Sequence, residues 1–594
     1  MMKPHRISPG TRPAWLPARL PSWMAVVLFC LAAGSAAAAP QKAPANPPAP
    51  VPAPSTPPAD STSGASHITP EQGKQLFALV DELMKFSSDE TGLPIKSQVK
   101  RQLITRASVE GYLDEKFDED EGAKRLQRDE IVLKKFGLLD HDFELKPFLL
   151  ALLKEQIEAY YDSKTKTVNL LDWVDADEQK PVLAHELTHA LQDQHSDLEK
   201  WDDQTPDDVS TDGPGDQQHL AKDEMDTARD AVAEGQATAV MMDYMLKPLG
   251  KSLVKDPEVL DVLKEQMTGS ENSPVMARAP LLLSESMLFP YREGLSFEQD
   301  VWMDQGQTAA FAGALDRPPS SSWEIINPRE YEMKHIPAVP LLPDIHPLVD
   351  KLYRPYDIGQ VGQLDLHILS ELFGGDGAAS DLTPAWNGGL YWAGQLRSAT
   401  TLAEQDSTKS LALLYLSVWK NDASATNFAK LYANSLARKY SSVHRTEAPE
   451  TPASANDGTE ETVYSTNEGP VLITTRGKLV FVAESFPLDL ARKLTALILD
   501  AQGTGEMRMA QSTAASYDDR FLRRNAAFAR GTSSGGWNAG AKLGQAQLSA
   551  AISSSRGMEP LSNDLIHFFE NCGVMKVVVD AAIRPDLSGV SAVH

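Results

Sequence analysis

Cysteine is nearly absent from this 594-residue chain, with only Cys30 and Cys572 present. Cys30 lies in a segment with the features of a cleaved leader, so no internal disulfide is expected and the core alone must stabilise the mature protein. Basic residues are scarce too: 56 Lys and Arg face 82 Asp and Glu, for a formal charge of −26. Such a surface repels nucleic acid, which removes that class of partner; acidity favours solubility and is silent about fold. Beyond residue 39 no apolar run is long enough to span a bilayer, so no membrane span is expected in the mature chain.

The first 39 residues follow the order of a signal peptide. Lys3, Arg6, Arg12 and Arg19 are basic, Met24 to Ala33 form an apolar core, and Ala37-Ala38-Ala39 offer a small-residue cleavage site. Phe29 occupies the place before Cys30 where a lipoprotein signal needs a small residue. The expected mature chain starts near Pro40, is exported to the periplasm or beyond, and carries −30 once the four basic residues are lost. Residues 40–68 are dominated by Pro, Ala and Ser and read as an extended tether. Thr69-Pro70-Glu71 then supplies a cap, a first-turn proline and a first-turn acid, which predicts the start of a helix.

From Glu71 to Leu153 the spacing of Leu76, Val80, Leu83 and Met84 predicts a helical lead-in, with the acidic run Asp114 to Glu121 read as a solvated helix face or loop rather than a metal site. Residues 157–161 and 166–171 are β-rich runs around the polar turn Asp162 to Thr165, a predicted hairpin. A free edge of either strand would suit an extended peptide. The hairpin precedes Val182 to Leu191, which carries His185-Glu186-Leu187-Thr188-His189. At helical spacing, positions i and i+4 share a face, so His185 and His189 can hold one metal ion with Glu186 beside it to act on water. Zinc suits imidazole ligands, and a catalytic zinc needs a third protein ligand and one open position.

Two third ligands compete. His195 lies six residues past His189, as in proteases with HExxHxxGxxH, but Gln192 stands where that pattern has glycine. If the helix continues, His195 points about 120° away and lies about 9 Å along the axis, fit for a supporting place at best. Glu234 sits among small and apolar residues from Ala228 to Met242, where a lone buried carboxylate is costly unless paired or metal-bound. Asp230 and Thr238, one turn to either side, are placed to support a ligand histidine, and Gly235 permits close helix approach. The polar stretch Ser196 to Asp226 between the two helices reads as a long loop. Tyr291 and Tyr331 are candidate donors to a transition-state oxyanion.

The HELTH run paired with Glu234-Gly235-Gln236-Ala237-Thr238 resembles the gluzincin class of zinc metallopeptidases. The longer run through Gln192-Asp193-Gln194-His195 is similar to a group of poorly characterised exported bacterial proteins. The resemblance implies zinc ligation by His185, His189 and Glu234, one ion per chain, with Glu186 as general base. It departs from thermolysin-like members in the interval of 45 positions from His189 to Glu234.

Residues 333–360 are proline-rich and read as a transition. Beyond them, strands are predicted at Leu411 to Trp419, Val463-Tyr464, Val471 to Thr475 and Leu479 to Val482, and helices at Ala423 to Lys439 and Leu488 to Leu499. The expected architecture is α+β: a mainly helical, zincin-like domain over 69–345 with the hairpin before its HExxH helix, then a smaller α+β unit over 346–502. Residues 503–594, rich in Ala, Ser and Gly, read as a disordered tail. The expected function is an exported zinc peptidase acting on a peptide or protein. The alternative is a catalytically silent zinc-binding or scaffold protein of the cell envelope. Oligomeric state is open.

Overall fold

A computed structural model describes residues 68–502, except 112–119, 157–158, 175–176, 178, 203, 205–208, 258, 261–263, 265–273, 336, 338 and 447–457. The expected signal peptide, the tether to residue 67 and the expected tail lie outside the described residues, as do Asp114 to Glu119 and the first two residues of the predicted hairpin.

Helix α1 (Pro70–Thr91) starts as its sequence predicts: Thr69 caps it, and Gln72 returns the bond in a capping box. The apolar face Leu76, Val80, Leu83 and Met84 is buried against the metal-motif helix. Strand β1 (Lys100–Ile104) follows, a correction to the purely helical lead-in. It forms by pairing parallel to a distant strand, a contact that local periodicity does not encode. Helices α2 (Asp120–Phe136) and α3 (Leu145–Gln156) complete the lead-in.

The predicted hairpin is present as β2 (Ala159–Asp162) and β3 (Thr167–Leu171), antiparallel, with the sheet ordered β1-β3-β2. β3 is therefore paired on both sides, which corrects the idea that 166–171 offers a free edge; β2 is the edge strand. Helix α4 (Gln179–Ser196) carries the HExxH residues and is buried from Pro181 to Asp193. Its first residue is clamped to β3, since the Gln179 amide both accepts from Leu171 N–H and donates to Leu171 C=O.

The predicted loop after α4 is not wholly irregular. It contains short helices at Leu198–Asp202 and Gly213–Leu220, the second capped by Asp212 and opened by Pro214. Long helices α5 (Met225–Leu246) and α6 (Leu281–Gln305) then pack with α1 and α4 around one apolar core.

The second sheet has seven strands, all antiparallel, in the order β4-β5-β6-β10-β9-β8-β7. They are β4 (Tyr353–Gln360), β5 (Trp386–Leu396), β6 (Leu411–Trp419), β7 (Val443–Thr446), β8 (Thr459–Thr466), β9 (Gly469–Arg476) and β10 (Leu479–Glu484). Helices α7 (Gln363–Gly374), α8 (Asp422–Lys439) and α9 (Leu488–Ala501) complete this part. The strands and helices read beyond residue 410 are all present, while β4, α7, β5 and β7 were not foreseen. β4 lies in the proline-rich stretch read as a transition; it is an edge strand, where Pro355 removes no essential ladder donor.

The two parts share elements. Ile131, Val132 and Phe136 of α2 enter the core on one face of the large sheet with Leu366 and Leu369 of α7. Leu364 and Ile368 of the same α7 enter the helical core. The fold is thus α+β, with two sheets and a helical layer that carries the metal motif. Among the described residues no helix is long and apolar enough to cross a membrane.

Candidate metal centre

Helices α4 and α5 bring three donor atoms to one point. His185 Nε2 lies 3.1 Å from Glu234 Oε2 and 3.0 Å from His189 Nε2, and His189 Nε2 lies 3.5 Å from the same Glu234 oxygen. Two bare imidazole nitrogens so close repel unless a proton or a cation lies between them. Ligands of a tetrahedral zinc sit about 3.3 Å apart, given bonds of about 2.0–2.1 Å. The donor triangle fits that spacing without rearrangement. Among the described residues this is the one group of three His, Cys, Asp or Glu side chains converging this way.

Charge in the cluster is set by burial against the attraction between the histidines and the carboxylates. Burial alone would raise the Glu234 carboxyl, but the two histidines outweigh it and hold it down at about 2. Burial opposes a proton on His189, yet Glu234 and Glu186 together pull it up to about 9. His185, where burial prevails, is lowered. Glu186 is pushed up to about 7, chiefly by burial.

Glu186 is held by the hairpin. Its Oε2 accepts from Tyr161 N–H at 2.7 Å, off the free side of edge strand β2. Its Oε1 is buried and has no hydrogen-bond partner among the described residues. The polar run after His189 explains the hold. Asp193 accepts from Tyr161 Oη at 2.7 Å and from Lys166 Nζ at 2.7 Å, tying α4 to the hairpin. Gln194 binds Lys96 and Ser97 backbone N–H groups. Gln192 reaches the donor triangle at His189: its Oε1 is 2.8 Å from His189 Nδ1. Neither Gln192, which stands in place of the glycine of the rival pattern, nor Tyr161, within the first run of the hairpin, is marked as a site residue by local sequence alone. The available signal was a Gln-Asp-Gln run inside an otherwise apolar helix.

His195 is not brought to the centre. The helix continues, and His195 pairs at 2.9 Å with Asp316 near the surface. Thr238 is buried in α5 with an Oγ1 that has no partner among the described residues, so it does not steady a histidine. Tyr291 does join the site. Its ring lies nearly parallel to that of His185 with centroids 6.4 Å apart. Burial, followed by the charges of Glu234 and Glu186, holds its hydroxyl well above the usual phenol range, hence protonated and able to donate. The charge of Asp230 acts on the same hydroxyl. Tyr331 is elsewhere: its hydroxyl donates to Arg317 C=O at 2.8 Å and its ring packs on Phe297.

Tyr291 reaches the site because α5 and α6 touch backbone to backbone. A methyl group at Gly235 would overlap the backbone of Gly294, and one at Gly294 would overlap the carbonyl of Ala231. Gly294→Ala is expected to push the helices apart, cost about 1–3 kcal/mol as overpacking does, and withdraw Tyr291 from His185. Urea unfolding of the metal-free protein measures the first effect; wild-type stability in that variant would mean the helices yield freely.

Among the buried acids that the sequence does not single out is Glu298 of α6, fully buried, whose carboxyl burial raises well above the ordinary range.

No family model, curated protein or solved structure matches this chain. The chemistry of the centre therefore rests on its own geometry.

Proposed function

We propose that this chain is a zinc-dependent peptidase that works through Glu186. The observation that carries the reading is the triangle of His185, His189 and Glu234 donors, with one oxygen of the neighbouring Glu186 unpartnered among the described residues. Three protein ligands leave a fourth tetrahedral position for water or substrate. Zinc bound there supplies an acidified water and a polarised carbonyl.

The chain's own residues do the rest. Glu186 is fixed through Oε2 by the Tyr161 amide, so Oε1 takes the proton of the attacking water. The carboxylic acid so formed then passes that proton to the leaving amine. Tyr291, protonated and packed over His185, supplies a hydrogen bond toward the ligand set. An extended peptide would add along the free edge of β2 outside Tyr161, whose N–H is held by Glu186. The order of basic, apolar and small residues over 1–39 supports action outside the cytoplasm.

A catalytically silent zinc-binding protein is the second reading. The burial of His185, Glu186, His189 and Glu234, none more than 6% exposed, favours it. Metal content of the purified protein, measured by mass spectrometry for wild type and Glu234→Ala, tests the shared premise. The expected result is about one zinc per wild-type chain and loss of that zinc in the variant. A wild-type protein that takes up no zinc sinks both readings; zinc without peptide hydrolysis favours the second.

A further inference from the structure

His189 is backed by a chain of two amides that ends on main-chain carbonyls. Gln236 Nε2 donates to Ala310 C=O at 2.9 Å and to Phe311 C=O at 3.0 Å. Carbonyls only accept, so the NH2 end of Gln236 must face them and its Oε1 must face the other way. Gln192 Nε2 then donates to that Oε1 at 3.0 Å and to Ala233 C=O at 2.9 Å. Both amide hydrogens of Gln192 are consumed, so the atom 2.8 Å from His189 Nδ1 is its oxygen. An oxygen acceptor requires a hydrogen on Nδ1. A neutral His189 therefore has its lone pair on Nε2, the atom facing His185 and Glu234.

The two carbonyls lie in Ala309–Gly313, a stretch of π-helix, a widened turn that recurs at functional sites. Gln192, Gln236 and their contacts are buried, so water does not compete for these bonds. His185 has no such backing: its Nδ1 is buried without a partner among the described residues. The relay acts on one ligand only.

We propose that Gln236 and Gln192 transmit the direction of the Ala310 and Phe311 carbonyls to His189, fixing its Nδ1–H tautomer and so setting the tightness of metal binding. The proposal rests on the reading of this centre as a zinc site. Gln192 and Gln236 are positioning residues, since neither offers an atom to the ligand triangle.

The test is zinc affinity of the full chain, measured by competition with a chromophoric chelator, for wild type, Gln192→Met and Gln236→Met. Loss of an outer partner of a metal-bound histidine weakens binding about 10–100-fold, and that loss is expected in both variants. The Gln236 result is the sharper one, because its side chain sits one amide removed from His189 and a purely packing role leaves zinc affinity unchanged. Affinity equal to wild type in both variants overturns the relay. Where a variant does not fold, nitrogen NMR of the zinc-loaded wild type decides: His189 bound through Nε2 with hydrogen on Nδ1 supports the relay, and ligation through Nδ1 overturns it. Wild type that binds no zinc fails the metal reading itself, a result distinct from zinc-binding variants of unchanged affinity.

Discussion

Glu186→Gln is expected to keep about one zinc per chain and to lower peptide hydrolysis by about 10²–10⁴-fold. The asymmetry follows from the two carboxylate oxygens. Oε2 receives the Tyr161 amide, and a glutamine oxygen placed there preserves that bond and the packing around it. Oε1 has no hydrogen-bond partner among the described residues, and it is the atom whose basicity disappears when NH2 replaces it. Metal binding survives because the ligand triangle of His185, His189 and Glu234 is untouched. Zinc content and hydrolysis of an unstructured protein substrate are measured on the same preparation. Zinc retained with unchanged hydrolysis would remove Glu186 from the chemistry; zinc lost would make it a structural support of the ligands.

The second large effect lies in the large sheet, outside the candidate centre. Glu484→Gln is expected to cost about 3–5 kcal/mol, the usual penalty for stripping one member from a buried ion pair. Glu484 Oε1 lies 2.5 Å from Lys439 Nζ and accepts from Tyr432 Oη at 2.7 Å, and Tyr440 donates to its other oxygen. Neighbouring Lys135 of α2 pairs with Glu468 at 2.9 Å and donates to Ser485 Oγ at 2.8 Å. The side chains of both pairs are almost wholly buried, so water cannot replace the missing charge. Because Lys135 comes from α2, the cluster also fastens the region before the metal motif to the large sheet.

Burial alone would raise the Glu484 carboxyl, but Lys439 and Lys135 outweigh it and hold it below the usual carboxylate range. The stabilisation is therefore complete above the pKa of an unfolded glutamate, about 4.3, and fades as pH falls through the lower folded value. Denaturant midpoints at neutral and acid pH should show the wild type losing this advantage in acid while Glu484→Gln changes less. A neutral-pH difference under about 1 kcal/mol would mean that Lys439 finds another partner.

Much of the site was legible because its grammar is local. The i, i+4 spacing of His185 and His189 needs only a helix, and the apolar flanks of the motif signal burial of that helix. The Thr69 cap and the β-rich runs beyond residue 410 are local in the same sense. Elements formed by distant pairing were not legible. β1 exists because residues 100–104 add parallel to β3, and nothing within five residues of polar-leaning sequence announces it. The proline-rich stretch before Gln360 hid β4 because an edge strand tolerates proline and a central one does not.

By itself, the sequence determined which side chains can serve a metal and which short segments coil or extend, since both depend on neighbours a few residues away. Tertiary structure decided between His195 and Glu234: the unbroken α4 turns His195 toward Asp316, and α5 carries Glu234 back across 45 positions to meet the histidines. It also placed Tyr291 over His185 through the Gly235 and Gly294 contact, and Gln192 behind His189. These choices come from the crossing of helices distant in sequence, where close backbone approach and the pairing of every buried donor with an acceptor select one arrangement.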